Sequence, residues 1–155
     1  MTQISNHVSL REATRSETAI RKNIDNQPTP EIIQTMQATA LNVFEPVREH
    51  FGVPIRINSF YRSVKLNQAI GGATSSQHCL GEAIDIDDIL GGVTNAQIFQ
   101  FIRSNVDFDQ LIWEFGDDNN PDWVHVSYKG PGANRKNVLR AKRNPSTGKA
   151  MYVNF

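Results

Sequence analysis

The stretch Ser75-Ser76-Gln77-His78-Cys79-Leu80-Gly81-Glu82-Ala83-Ile84-Asp85-Ile86-Asp87 constrains the chain more than any other. From Ala83 the residues alternate, so a strand there places Asp85 and Asp87 on the face opposite Ile84 and Ile86. Gly81 permits a sharp turn between His78 and that strand. His78 and Asp85 then offer an imidazole nitrogen and a carboxylate oxygen to one divalent ion. The best third ligand is in Trp123-Val124-His125-Val126-Ser127-Tyr128, where strand alternation puts His125 on the polar side. Two histidines and one aspartate leave a zinc position open, as in catalytic sites. A closed structural site often uses several cysteines, and this chain has only Cys79.

Ser76-x-His78-x-x-Gly81-x-Ala83-x-Asp85 followed by Trp123-x-His125 resembles the signature of the zinc D-alanyl-D-alanine carboxypeptidase and L-alanyl-D-glutamate endopeptidase family. These are peptidoglycan peptidases that include VanX-type dipeptidases and phage endolysins and share a fold with the hedgehog signalling domain. The resemblance extends to Ile57-Asn58-Ser59-Phe60-Tyr61-Arg62-Ser63 and to Leu66-Asn67, and runs from about residue 8 onward. It implies one Zn2+ per chain held by His78, Asp85 and His125. The implied reaction is hydrolysis of an amide bond in a peptidoglycan stem peptide, by a carboxypeptidase or an endopeptidase, in a phage or prophage lysin or a bacterial remodelling enzyme. The competing class is a non-catalytic, zinc-stabilised binding module, because the hedgehog branch uses this fold for recognition.

At 155 residues the chain is the size of one domain, 1–155, and can bury an ordinary core. Sixteen Lys and Arg balance sixteen Asp and Glu, which argues against whole-molecule attraction to nucleic acid. A single cysteine excludes an intramolecular disulfide framework. No stretch reaches membrane-spanning length, and the first residues lack a basic start followed by an apolar run. The expectation is therefore a monomer without a signal peptide, made in the cytoplasm, that another component delivers to the cell wall.

Ser9-Leu10-Arg11-Glu12 reads as a capping box opening a short helix with Leu10, Ala13 and Ile20 inward. Thr29-Pro30-Glu31 opens the longest helix, whose inward stripe is Ile33, Met36, Ala40, Phe44 and Val47, and Pro46 should kink or restart it. A strand over 55–59, a short helix from Ser63 to Ala69, a helix capped by Thr94, and a hairpin of 110–115 with the His125 strand follow. These elements indicate an α+β fold, a small, mostly antiparallel sheet with flanking helices. From about Lys129 to Phe155 there are seven basic and no acidic residues, read as a solvated extension whose Met151-Tyr152-Val153 packs back as a strand.

Hydrolysis needs a carboxylate to move the proton of the attacking water. Glu114, which hairpin pairing could set directly across from His125, competes with Asp122, which the resemblance favours by its spacing; the preference is for Glu114. Arg62, between a strand and a helix, is suited to hold a carbonyl turning into an oxyanion, or a substrate carboxylate. Ser76 and Gln77 are candidates for hydrogen bonds to the peptide, although Ser76 equally suits a turn cap. Cys79 should face the core. Asp87 should either orient a histidine or simply end its strand.

Overall fold

The computed structural model describes residues 2–155. A short antiparallel pair, β1 (Gln3–Ser5) and β2 (Val8–Ser9), leads into α1 (Leu10–Thr14), where the Ser9 hydroxyl accepts from Glu12 N at 3.1 Å. Arg15 is extended, and a second helix, α2 (Glu17–Arg21), starts under the Ser16 cap. Ile20, expected to face inward, is 75% exposed because this break turns α2 away from the core. The N-terminal pair is held by Glu45, which accepts from Ser5 Oγ (2.6 Å), His7 N (2.8 Å) and His7 Nδ1 (2.7 Å).

Thr29 caps α3 (Pro30–Thr39), and the helix continues through a π-helical turn, Ala40–Phe44, into α4 (Glu45–Phe51). Proline has no N–H and its ring clashes with the carbonyl one turn back, so the chain widens just before Pro46 and resumes after it. Gly52, at φ +66°, ends the helix. Then come β3 (Arg56–Ser59), α5 (Val64–Ala69), β4 (Ala83–Asp87), α6 (Asn95–Asn105), β5 (Gln110–Glu114), β6 (Trp123–Ser127), β7 (Asn137–Arg143) and β8 (Ala150–Asn154). Thr94 and Gln97 form a complete capping box at the start of α6. No described helix is long and apolar enough to cross a membrane.

The six strands β3 to β8 form one sheet in the order β3-β4-β6-β5-β7-β8, with only the β5–β7 pair parallel. One face carries Ile84, Ile86, Leu111, Trp113, Val124 and Val126, packed with Met36, Phe44, Phe99 and Ile102 of the helices. Each such side chain contributes about 1.5–3 kcal/mol on burial. The alternate residues line the opposite face. One row runs Ser59, Asp85, His125, Ile112, Leu139 and the next runs Trp123, Glu114, Ala141, Tyr152.

The basic C-terminal segment is largely exposed, as a solvated extension would be, yet it is built into the sheet. The strand at 151–153 forms as expected within β8, but β7 is a full strand that joins the sheet beside β5. Its basic residues suit this place because their stems are apolar. Arg140 lies over Trp113, 5.8 Å from the ring centroid, and pairs with Asp118 at 2.6 Å. Asp109, fully buried, fixes the approach to β7 by accepting from Arg135 N (2.9 Å), Arg135 Nε (3.0 Å), Arg135 Nη2 (2.8 Å) and Gln77 Nε2 (3.1 Å).

Burial alone would raise the Asp109 carboxyl, but the hydrogen bonds from Arg135 and Gln77 outweigh it and hold the group at about 2. A carboxyl depressed on folding contributes stability above its unfolded value, about 3.9, and loses it as pH falls toward the folded value. Asp109→Asn should therefore lower stability at pH 7 by about 2 kcal/mol. In urea unfolding series, its deficit against the wild type should shrink as pH falls from 5 to 2.

Candidate active site

His78 sits on the 3-10 turn Gln77–Leu80, where the Ser76 hydroxyl accepts from His78 N at 3.2 Å. Gly81 closes the turn at φ +76°, and a Cβ there would lie 2.7 Å from Met36 Cγ and 3.2 Å from the Ile32 carbonyl oxygen. Glycine is thus required twice, by backbone conformation and by the close approach of α3. Asp85 and His125 are direct partners on adjacent strands β4 and β6.

The His78 ring is oriented by Nδ1, which donates to the Phe60 carbonyl at 2.8 Å. A carbonyl only accepts, so in the neutral ring Nε2 carries a lone pair. That atom is buried without a hydrogen-bond partner and faces Asp85 Oδ2 at 3.3 Å. Two electron-rich atoms so placed repel unless a cation lies between them, either a proton on the imidazole or a metal ion. On the other side, His125 Nδ1 lies 2.9 Å from Asp85 Oδ1. One ligand atom from each of the three residues lies within 4.8 Å of the others. Donors bound 2.0–2.1 Å from a tetrahedral ion stand about 3.4 Å apart, so the spacing suits one small divalent cation. Burial opposes ionisation of Asp85, yet the charge of His78 and the hydrogen bond and charge of His125 prevail and hold its carboxyl far below the usual range.

Arg62 is fixed on the same side. Its Nε donates to Ser59 Oγ (3.0 Å), its Nη1 donates to Asn67 Oδ1 (3.0 Å), and Nη2 is 3.6 Å from Asp85 Oδ2. Buried Asn26 ties down the loop that presents it, donating to the Thr14 and Tyr61 carbonyls and accepting from Ser63 N. Asn26 was invisible as a functional contributor in the sequence, where it lies in an interruption between helices.

Glu114 is 6% exposed and lines the same cleft. Pairing sets Ile112, not Glu114, across from His125; Glu114 is opposite Trp123 and so diagonal to His125 on the same face. The shift arises because the strand ends there, Phe115 and Gly116 turning the chain at φ +55° and +68°. Burial pushes the Glu114 carboxyl up to about 7; Asp85 acts in the same direction and His125 and Arg62 oppose it. The rings of Phe115 and Trp123, 5.6 Å apart, flank it in sequence and across the strands, and both line the cleft. Asp122 is exposed and absent from the cleft wall; its main chain accepts from Asn95 and donates to the Glu114 carbonyl.

The cleft has a volume of about 750 Å³ and brings Arg62, Ser76, Gln77, His78, Asp85, Glu114 and His125 to one surface. The Ser76 hydroxyl accepts from His78 N and keeps its own proton to donate, while the Gln77 amide nitrogen donates to Glu82 and Asp109. A second groove of about 500 Å³ shares Arg62 but none of the three clustered residues. Asp87 binds Asn95 at the start of α6 and orients no histidine. Cys79 is half-buried, not a core residue, since the 3-10 turn does not alternate as a strand does. Asp109, Arg135 and Leu139 escaped the sequence reading, and Tyr152 was read only as part of a strand, because their roles depend on pairing between distant segments.

No curated protein matches the chain. The family model described as Peptidase M15 matches residues 6–127, a span that contains the clustered histidines and aspartate, Arg62 and Glu114. With more than three quarters of its length matched, the chain belongs to the peptidase M15 family.

Proposed function

We propose that this peptidase is a zinc-dependent hydrolase of an amide bond in peptidoglycan stem peptides. The observation that carries the metal dependence is the buried, unpartnered Nε2 of His78 facing the ionised Asp85. His78, Asp85 and His125 would hold the ion, with Asp85 the single anionic ligand. A bound zinc supplies Lewis acidity, lowering the pKa of water and polarising the scissile carbonyl.

The chain's own groups carry the proton movements. Glu114, ionised, takes a proton from the attacking water as the water oxygen bonds to the carbonyl carbon. It returns that proton to the amine nitrogen as the C–N bond breaks, and the new carboxylic acid gives up the second proton of the water to the freed amine, leaving a carboxylate and an ammonium group. A value near 7 suits both directions of transfer, and a cation in the cluster acts to lower it. Arg62, held by Ser59 and Asn67, presents a fixed positive charge to the developing oxyanion or to a carboxylate of the substrate. The exposed Asp122 has no comparable surroundings.

His78→Ala, Asp85→Ala and His125→Ala should each abolish tight zinc uptake and hydrolysis together, measured by metal analysis and by fragment release from purified cell wall. The wild type is expected to hold one zinc per chain. Mass spectra of the released fragments separate a carboxypeptidase, which frees a terminal D-alanine, from an endopeptidase, which divides the stem.

Glu114→Gln should retain zinc and lose about 10²- to 10⁴-fold in kcat, whereas Asp122→Asn should stay within about threefold of the wild type. Because the base acts when ionised, wild-type kcat/KM should fall as pH drops through the Glu114 pKa, at or below about 7. Full activity of Glu114→Gln would refute the assignment of the base.

A further inference from the structure

The strand pair β7–β8 lies beyond the matched segment 6–127, yet it completes the cleft wall with Leu139 and Tyr152. Tyr152 ends the row Trp123, Glu114, Ala141, Tyr152 across four neighbouring strands. Two inter-strand steps separate the backbones of Glu114 and Tyr152 by about 10 Å, and a tyrosine side chain can span much of that gap. The residue between them is alanine, so no larger side chain intervenes.

The placement of Tyr152 is held from the opposite face. Phe155 N donates to the Val138 carbonyl at 3.1 Å, and Arg103 Nη2 donates to the main-chain oxygen of Phe155 at 2.9 Å. The Phe155 ring centroid lies 5.7 Å from that of Phe99 and 5.6 Å from that of Trp113. These anchors fix β8 while Tyr152 itself remains half-exposed at the cleft, its hydroxyl without a hydrogen-bond partner among the described residues. Burial, with the nearby charges of Glu114 and Asp85, raises the phenol above its ordinary value and keeps it a donor.

We propose that Tyr152 is a substrate-binding residue whose hydroxyl donates a hydrogen bond to a main-chain carbonyl of the peptide on the Glu114 side of the cleft. This rests on the peptide-hydrolase reading and assigns β8 a part in affinity. A carbonyl is the fitting acceptor, since every residue of a bound peptide offers one and a neutral phenol adds no charge beside the acid.

The test uses the full chain loaded with zinc and a synthetic stem pentapeptide. Tyr152→Phe should raise KM about 3- to 10-fold with kcat within about twofold, the pattern of an interaction made equally in ground and transition states. In a Glu114→Gln background, calorimetry should show the pentapeptide Kd weakened by the same factor when Tyr152→Phe is added. Zinc content should not change, and Tyr152→Ala should raise KM further. Unchanged KM and Kd in Tyr152→Phe, or a loss confined to kcat, overturns the proposal while leaving the hydrolase reading intact. A wild type that neither cleaves nor binds the pentapeptide overturns both.

Discussion

The confrontation of His78 Nε2 with the Asp85 carboxylate is the constraint on which the site depends, and the apolar face of the sheet sets it. Asp85 meets His125 directly only in the register that also buries Ile84, Ile86, Val124 and Val126. A slip of one residue would exchange these sets, driving a carboxylate and an imidazole into the helices and four aliphatic side chains into water. The hydrophobic core therefore determines which polar groups meet on the other side. His78 is the exception, delivered by a 3-10 turn instead of a strand, and it needs its own supports. They are the Ser76 cap, the Gly81 conformation and the Phe60 carbonyl that fixes its tautomer.

Around this centre, buried amides and acids join segments that sheet pairing does not connect. Asn26 uses both ends of its amide to join α1, the Tyr61 carbonyl and the start of α5. Asn67 accepts from Arg62 and donates to the Ala73 carbonyl, linking α5 to the loop beside the cleft. Asp109 does the same between Gln77 and Arg135. Each is hydrogen-bonded at both side-chain heteroatoms, as buried polar groups must be if they are not to cost stability.

The parts of this arrangement legible in the sequence were those written in local chemistry. Thr29, Ser63 and Thr94 each cap the helix expected of them, because an N-cap acts only on the next turn. His78, Asp85 and His125 could be grouped because two lie in strands with clear alternation and the third precedes a turn glycine. β7 was missed because its basic residues read as solvated, and only contact with Trp113 and Phe155 reveals Arg140 as an apolar cover. The pair β1–β2 is too short to show a period. Ile20 lies outside the core because Arg15 is extended and Ser16 caps a new helix, a local signal that the reading of one continuous apolar stripe passes over. The diagonal position of Glu114 depends on where a hairpin turns, and registers of that kind are set by the turn as a whole.

Asp85 and Glu114 occupy the same face of one sheet, on strands separated only by β6, and their environments drive them in opposite directions. Both are buried, which by itself favours the neutral acid in each case. Asp85 has an imidazole at each oxygen and the Arg62 guanidinium 3.6 Å away, so it stays ionised. Glu114, one row further on, has no hydrogen-bond donor for its carboxylate among the described residues, and burial dominates. A separation of this sort is what distinguishes an acid suited to hold a cation from one suited to exchange a proton near neutral pH. It follows from a displacement of two residues along β5 relative to the partner of His125. That register leaves the Glu114 carboxylate without the direct imidazole contact that Asp85 has, so burial, opposed only by the more distant charges of His125 and Arg62, raises its proton affinity.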